Sequence, residues 1–280
     1  MTEIIIDSSE SGKTLEKVLK DRGYSRRLIT LLKRQENGMT RQGQLIRTID
    51  TVKENDVIIL DDCKKGKPLE PNGNINVEIL YEDKDLVVFN KPPLMPVHPS
   101  INHQGDTLGN FFSFHCPNLT FRPVNRLDRD TSGCVIVAKN PHAAHILQNK
   151  CEKKYFCITK HISLSGGRIC APIAREKESI ILRCVRSDGQ YSVTNWLKIK
   201  DKNDFSLLEI NLETGRTHQI RVHLAWKGYP LLGDKMYGGD CKMLERQALH
   251  CGEISFFCPA RQTKITVKAP LPKDMAKLIE

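Results

Sequence analysis

Strand-like segments follow one another through most of the 280-residue chain, and this arrangement constrains the fold more than any other feature. Apolar or alternating runs occur at 86–89, 134–138, 155–162, 193–199, 205–212 and 264–268. Helical patterns are fewer, with one predicted from Pro141 to about Cys151, and strands and helices do not alternate regularly. Ile75, Val77 and Ile79 add a further alternating run. The pattern therefore predicts an α+β fold with a mostly antiparallel mixed sheet flanked by helices.

The first 62 residues have a different pattern, which predicts two helices followed by a small β segment. The apolar stripes of the two helices are Leu15, Val18 and Leu19, then Leu28, Leu31 and Leu32. Ser25 is a suitable N-cap for the second helix, and Asn37-Gly38 is expected to break it. A turn at Asn55-Asp56 precedes the strand-like run 57–60. We therefore predict a compact α/β module at residues 1–62.

Basic side chains share the exposed face of the second predicted helix, because Arg26 and Lys33, and likewise Arg27 and Arg34, are seven residues apart. Such a face is either solvated or binds RNA. The order of helix, basic helix, glycine turn and hairpin resembles the S-four-like RNA-binding domain, although Arg41-Gln42-Gly43 replaces the usual small polar pair. The resemblance implies that these four residues bind RNA.

A stretch rich in proline, glycine and lysine marks the domain boundary. It predicts a linker at 63–74 between the module at 1–62 and a larger domain at 75–280. Charge is consistent with a polyanionic partner without establishing one, since 43 Lys and Arg residues against 33 Asp and Glu give a formal net charge of +10.

The ten cysteines form no C-x-x-C pair and are mostly found in apolar runs, which favours free thiols over zinc ligands or disulfides. The N-terminus lacks the pattern of a signal peptide, and no run reaches the roughly 18 apolar residues of a membrane span. We expect a cytoplasmic monomer without a metal ion or a membrane contact.

Two polar segments carry the candidate chemistry. The first, 122–133, includes Arg126-Leu127-Asp128 and lies immediately before a predicted buried strand. By itself this segment favours ordinary turn hydrogen bonds from its aspartates, because such turns are common. The second segment, 212–225, is predicted to be a turn at Gly215 that leads into a helix capped by Thr217. His218 and Arg221 would lie on the same side of that helix.

Together these segments resemble the pseudouridine synthase family of the RluA type. Further matching segments occur in the family's order at 90–99, 153–155, 228–234, 237–238, 246–250 and 269–272. The matches extend over about residues 75–275. The resemblance implies a pseudouridine synthase fold and isomerisation of uridine in structured RNA, most often large-subunit ribosomal RNA, with transfer RNA as the alternative.

The resemblance also implies roles for individual residues. Asp128 would be the catalytic nucleophile, Arg221 would pair with it, and Tyr155 would pack on the target base. Arg126 would enter the RNA stack where that base leaves, and Ile220 would line the pocket. The remaining residues expected to contact the substrate are Asn125, Thr131 and His218. Many members of the family have His where this chain has Asn125.

The chemistry needs no cofactor, because substrate and product contain the same atoms. Whether Asp128 attacks the sugar, attacks the ring or removes a sugar proton is left open by the sequence. Two other functions are also compatible with the motifs. A catalytically silent RNA-binding protein would leave uridine unchanged, and a hydrolase acting on nucleosides would release free uracil.

Overall fold

A computed structural model describes residues 2–61, 69–148, 150–176 and 181–280. The strands are β1 Thr2–Ile5, β2 Met39–Arg41, β3 Gln44–Leu45, β4 Val57–Leu60, β5 Glu78–Glu82, β6 Leu86–Lys91, β7 Arg122–Pro123, β8 Ser132–Ala138, β9 Glu152–Lys160, β10 Gly166–Cys170, β11 Ile173–Arg175, β12 Arg183–Val185, β13 Val193–Lys202, β14 Phe205–Leu212, β15 Leu249–Cys258 and β16 Thr263–Lys268. The α-helices are α1 Leu15–Asp21, α2 Arg26–Lys33, α3 Leu108–His115, α4 Pro141–Leu147, α5 Gln219–Trp226 and α6 Lys273–Ile279. A 3-10 turn spans Lys235–Tyr237.

The N-terminal unit has an apolar core formed entirely by residues between 4 and 60. Its four strands are ordered β1-β4-β2-β3, and α1 and α2 bury their leucine faces in that core. The Ser25 hydroxyl accepts a hydrogen bond from the Leu28 amide at 3.1 Å, so the predicted N-cap is confirmed. The helix ends at Lys33, four residues before Asn37-Gly38. Half of the predicted linker at 63–74, namely residues 63–68, lies outside the described residues.

A large sheet organises the rest of the chain, with strands in the order β10-β13-β14-β9-β15-β8-β6-β5; β16 also pairs with β15, and β7 with β8. Every pairing is antiparallel except that of β8 with β15. Helices pack around the sheet, and the main core includes the fully buried side chains of Phe89, Phe112 and Phe256. The predicted α+β class with a mostly antiparallel mixed sheet is confirmed.

The single parallel pairing requires a glycine. Gly133 lies opposite Cys251 with φ of +111°, and a Cβ atom there would lie 2.2 Å from the Cys251 carbonyl oxygen. Only glycine accommodates both this φ and this approach. The pairing brings the loop before β8 next to the segment before β15, although the two are over a hundred residues apart in sequence.

Several predicted boundaries differ from the structure. The helix that begins at Pro141 ends at Leu147 rather than near Cys151, because the Gln148 cap leaves helical geometry. The alternation from Ile75 predicts a strand too early, since β5 begins at Glu78, where pairing with β6 starts. The predicted strand 205–212 matches β14 at both ends. None of the helices in the described parts of the chain has both the length and the apolar character needed to cross a membrane.

His250, on β15, gives the fold a defined pH dependence. The Ala269 carbonyl can only accept a hydrogen bond, so Nε2–H donates to it and Nδ1 accepts from the Ser132 hydroxyl. Burial lowers the pKa of His250 to about 4 from its ordinary value of 6.5. Between these values the unfolded chain binds more protons than the folded chain. The free energy of unfolding therefore falls as the pH drops from 6.5 to 4, by about 3 kcal/mol from this residue.

Replacing His250 with Asn should reduce this loss of stability, measured as the change in free energy of unfolding by urea between pH 7 and pH 4. Other buried histidines keep some pH dependence in place. The matched control is His161→Asn, because His161 is exposed. If the free energy of unfolding of the His250 variant depends on pH as strongly as that of the wild type, the assignment of this loss of stability to His250 is contradicted.

Candidate active site

The loop between β7 and β8 faces the start of α5 across a small pocket. The pocket has a volume of about 80 Å³ and opens into a cleft of about 1110 Å³. Its lining residues are Arg126, Leu127, Asp128, Thr131, Tyr155, Leu212, Arg216, His218, Gln219, Ile220, Arg221 and Leu249. The site thus combines a narrow pocket suited to one ring with an adjoining cleft suited to a larger ligand.

Asp128 lies at the mouth of this pocket, with 28% of its side chain exposed. Its Oδ2 accepts a hydrogen bond from Nη1 of Arg221 at 2.9 Å and lies 3.7 Å from Nε2 of His218. Among the described residues, no group donates a hydrogen bond to Oδ1. One carboxylate oxygen is therefore held in place, while the other is available to a ligand.

Arg221 is held by a second carboxylate. Its Nε and Nη2 donate to Oδ2 and Oδ1 of Asp234 at 2.7 and 2.9 Å, and its guanidinium lies 5.0 Å from the ring centroid of Tyr237. Burial opposes the charge of Arg221, but the hydrogen bonds and charge of Asp234, and then those of Asp128, raise its pKa above the ordinary value. Arg221 therefore remains a cation in a buried position.

His218, rather than the predicted Thr217, is the N-cap of α5, so the prediction of the cap was wrong. His218 has a φ of +55° and makes no side-chain cap hydrogen bond. Its Nδ1 instead bonds the Tyr237 hydroxyl at 2.8 Å. Burial lowers the pKa of His218, which favours the neutral ring beside Asp128. A left-handed backbone at a non-glycine residue costs energy and is often found at functional sites.

Three buried side chains hold the loop that carries Asp128. Lys91 donates from Nζ to the Arg129 carbonyl at 2.9 Å, and Arg246 donates to the Asp130 carbonyl at 3.2 Å. Gln247 donates to the Thr131 hydroxyl at 3.2 Å. A bidentate ion pair with Asp274 on α6 fixes Arg246 in turn. The loop is therefore attached directly to two separate parts of the chain, β6 and the segment before β15, and through Arg246 to α6.

Tyr155 and Ile220 form apolar walls of the pocket and are both buried. Burial raises the pKa of Tyr155 well above its ordinary value, so the phenol stays protonated. Thr131 is also buried and lines the pocket, with its hydroxyl bonded to Gln247. These three residues provide a buried, uncharged surface next to the Asp128 carboxylate.

Asn125 and Arg126 have different surroundings, although they are adjacent in sequence. The Asn125 side-chain amide is hydrogen-bonded to the backbone of β8. It donates to the Cys134 carbonyl at 3.1 Å and accepts from the Ile136 amide at 2.9 Å. These bonds position the loop and leave little capacity for a ligand. The Arg126 side chain is exposed and lines both the pocket and the cleft.

The four basic residues predicted to bind RNA lie on or next to α2, and all four are exposed. Lys33 is paired with Glu16 at 3.0 Å. Arg26, Arg27 and Arg34 make no ion pair with any residue that the structure describes. These three arginines are therefore the available cations of the predicted RNA-binding face.

A possible metal-ligand group lies elsewhere. Within the described ranges, Glu82, His115 and Cys116 bring their ligand atoms together. Glu82 already pairs with Lys139 at 2.6 Å and with His115 at 2.9 Å. Burial raises the pKa of the Cys116 thiol, which disfavours the thiolate that a metal ion would bind. These contacts explain the cluster as an ion-pair network.

Several residues of the site were not identified from the sequence. Asp234 and Tyr237 belong to the matched segments 228–234 and 237–238, but the pattern assigned them no role. Gln219 also lacked a predicted role, and it fixes the turn before α5 through hydrogen bonds to the Thr214 hydroxyl and the Arg216 amide. The only available signal was the presence of these residues in matched segments.

Comparisons with known proteins agree on one family. A family model described as RNA pseudouridylate synthase matches residues 85–226. The chain is 36% identical over 281 residues to an uncharacterized RNA pseudouridine synthase, YjbO, of Bacillus subtilis, covering 95% of this chain and 98% of that one. It is 30% identical to the ribosomal large subunit pseudouridine synthase D of Xanthomonas campestris, covering 100% and 92%. The structure of human RNA pseudouridylate synthase domain containing 1 matches with a TM-score of 0.62 and 25% identity, covering 76% and 91%.

Replacing Arg221 with Met should lower the free energy of unfolding by about 3–5 kcal/mol, because Asp234, which is 1% exposed, would lose the cation that compensates its charge. Urea denaturation at pH 7 measures the change. Combining Arg221→Met with Asp234→Leu should restore part of the loss. Arg168→Met is the control, since it breaks a solvent-exposed pair with Glu213 that contributes little to stability. Equal losses in the two single variants would contradict a special role for the buried pair.

Proposed function

Because the chain belongs to the RNA pseudouridylate synthase family, we propose that it isomerises specific uridines of large-subunit ribosomal RNA, with Asp128 as the nucleophile and without a cofactor. The observation that carries this proposal is the Asp128–Arg221 ion pair at the mouth of a small pocket that opens into a larger cleft. The enzyme is an isomerase, since pseudouridine contains the same atoms as uridine.

The reaction breaks the bond between C1′ of the ribose and N1 of the uracil and forms a bond between C1′ and C5. The C5 proton must leave, and N1 must gain a proton. A carboxylate that acts on the sugar or the ring, together with a pocket in which the detached uracil can turn without solvent, meets these requirements. Oδ1 of Asp128 is oriented for such a role because Arg221 occupies only Oδ2.

The target base has to leave the RNA stack before it can reach this pocket, at a cost of a few kcal/mol. Arg126 extends into the cleft and would fill the space that the base leaves. The Tyr155 ring would pack against the extruded uracil, and stacking of this type returns about 1–3 kcal/mol. Ile220 and Thr131 complete the wall around the base, and His218 lies close enough to contact it.

Large-subunit ribosomal RNA is proposed as the substrate because similar curated proteins are named ribosomal large subunit pseudouridine synthase D. The N-terminal unit, residues 1–62, is proposed to be an S-four-like domain that binds RNA outside the catalytic cleft. A linker at 63–74 would join it to the catalytic domain at 75–280. We further propose that the protein acts as a monomer in the cytoplasm.

Replacing Asp128 with Ala should abolish the modification while RNA binding persists, because the nucleophile is lost and the Arg126 contact remains. Pseudouridines are mapped across total RNA from cells that lack the protein and from cells complemented with either form. At least one site should depend on the wild-type protein and should be absent with the Asp128 variant.

Asp130→Ala provides the matched control, since Asp130 is in the same loop and pairs with Arg129 at the surface. If pseudouridines that depend on this protein are found in transfer RNA alone, transfer RNA would replace ribosomal RNA as the proposed substrate. Survival of the modification in the Asp128 variant would exclude this residue as the nucleophile. RNA binding without any dependent site would support a silent RNA-binding protein, and release of free uracil would support a hydrolase.

Replacing Arg26, Arg27 and Arg34 with Gln in one triple variant should weaken binding to structured RNA by about 10–100-fold at low salt. The affinity should also depend less on salt, because contacts between cations and phosphates release counterions. Turnover on a short stem-loop containing the target uridine should be unchanged. Filter binding at several salt concentrations measures the affinity.

The control for this experiment removes the same charge from Lys13, Lys17 and Lys20, which are paired with Asp21 or Glu16 on α1. It should alter affinity much less. Equal effects of the two triple variants would show that net charge, and not the α2 face, determines binding.

A further inference from the structure

Arg221 distributes its hydrogen bonds unequally between two carboxylates. Asp234 accepts two bonds along one edge of the guanidinium, from Nε and Nη2, whereas Asp128 accepts one bond from Nη1. Nη2 also contacts the Met236 sulfur at 3.6 Å. Because the guanidinium is planar, bidentate pairing along one edge fixes the orientation of the whole group. Asp234 therefore determines which donor faces Asp128.

This orientation has a direct consequence for Asp128. A guanidinium that was free to turn could pair with both Asp128 oxygens at once, as bidentate Arg–carboxylate pairs commonly do. Such pairing would occupy Oδ1, which has no hydrogen-bond donor among the residues that the structure describes. Asp234 takes the Nε hydrogen and one Nη2 hydrogen, and in this orientation Nη2 directs its second hydrogen to the Met236 sulfur. Nη1 is therefore the one nitrogen of Arg221 that bonds Asp128.

We propose that Asp234 is a positioning residue for the isomerisation, and that it acts through Arg221 to keep one oxygen of Asp128 uncovered. The proposal rests on the function proposed above. Asp234 does not line the pocket, so its effect on substrate is indirect. Tyr237 supports the same arrangement, because its ring lies against Arg221 and its hydroxyl accepts from the Arg183 amide at 3.0 Å.

The test is a double-mutant cycle with Asp234→Asn and Arg221→Lys, in which kcat and KM are measured by tritium release from C5. The substrate is total RNA labelled with [5-³H]uridine in cells that lack the protein, so the target uridine is present whichever RNA contains it. Asp234→Asn should lower kcat by about 100-fold and change KM by less than about threefold, because misplacing a reacting group by about 1 Å can cost this much.

In the Arg221→Lys background, which lacks the planar fork, Asp234→Asn should change kcat by less than about threefold, because residues that act through one another are not additive. If Asp234→Asn alone fails to fold, the same cycle is measured with Asp234→Glu, which keeps the charge and displaces the carboxylate that holds Arg221. Asp240→Asn is the matched control for loss of an acid in the same segment, since Asp240 pairs with Lys160 at the surface. It should leave kcat unchanged.

A loss of kcat that is equally large in both backgrounds would overturn the proposal, and so would wild-type kcat in Asp234→Asn. Failure of the function proposed above is recognised separately, because the wild-type protein would then release no tritium from the same RNA.

Discussion

The buried guanidinium of Arg221 is the interaction on which the site depends. It joins Asp128, on a loop before a strand, to Asp234, on a segment more than a hundred residues later, and it carries one positive charge between two negative ones. A buried carboxylate without such a partner is costly, so removing Arg221 would leave two carboxylates uncompensated, whereas removing either aspartate leaves one ion pair. The charge that stabilises this part of the fold is also the charge that orients the proposed nucleophile.

The loop around Asp128 is kept rigid by donors that bond its backbone rather than its carboxylate. Lys91 and Arg246 each bond a carbonyl of this loop, and the Asn125 amide bonds β8 just beyond it. Fixing the backbone leaves the Asp128 side chain open to the cleft. Placing a reactive group on a loop that is fixed from several sides combines access for a large ligand with a defined geometry.

The sequence predicted the fold where local pattern and tertiary pairing agree. The alternation in 205–212 predicted both ends of β14. The similar alternation from Ile75 did not predict the start of β5, because a strand begins where the neighbouring strand offers backbone hydrogen-bond partners. The resemblance identified Asp128 and Arg221, which the structure brings together across 93 positions. Asp234 could not be assigned a role, since its partner is apparent only in three dimensions. The cap of α5 was misassigned because the preference for Thr217 is local, while His218 is held by Tyr237.

The parallel pairing of β8 with β15 brings together residues that are far apart in the sequence, and this affects the order in which parts of the protein can fold. The apolar core of the N-terminal unit consists of residues between 4 and 60, so this core can form before Asp128 and its partners have been made. The surroundings of Asp128 require Arg221, Asp234, Arg246 and finally Asp274 on α6. A nascent chain still attached to the ribosome thus has a folded N-terminal unit long before its reactive carboxylate is arranged. The arrangement around Asp128 is complete only after Asp274 has been added and α6 has packed against Arg246.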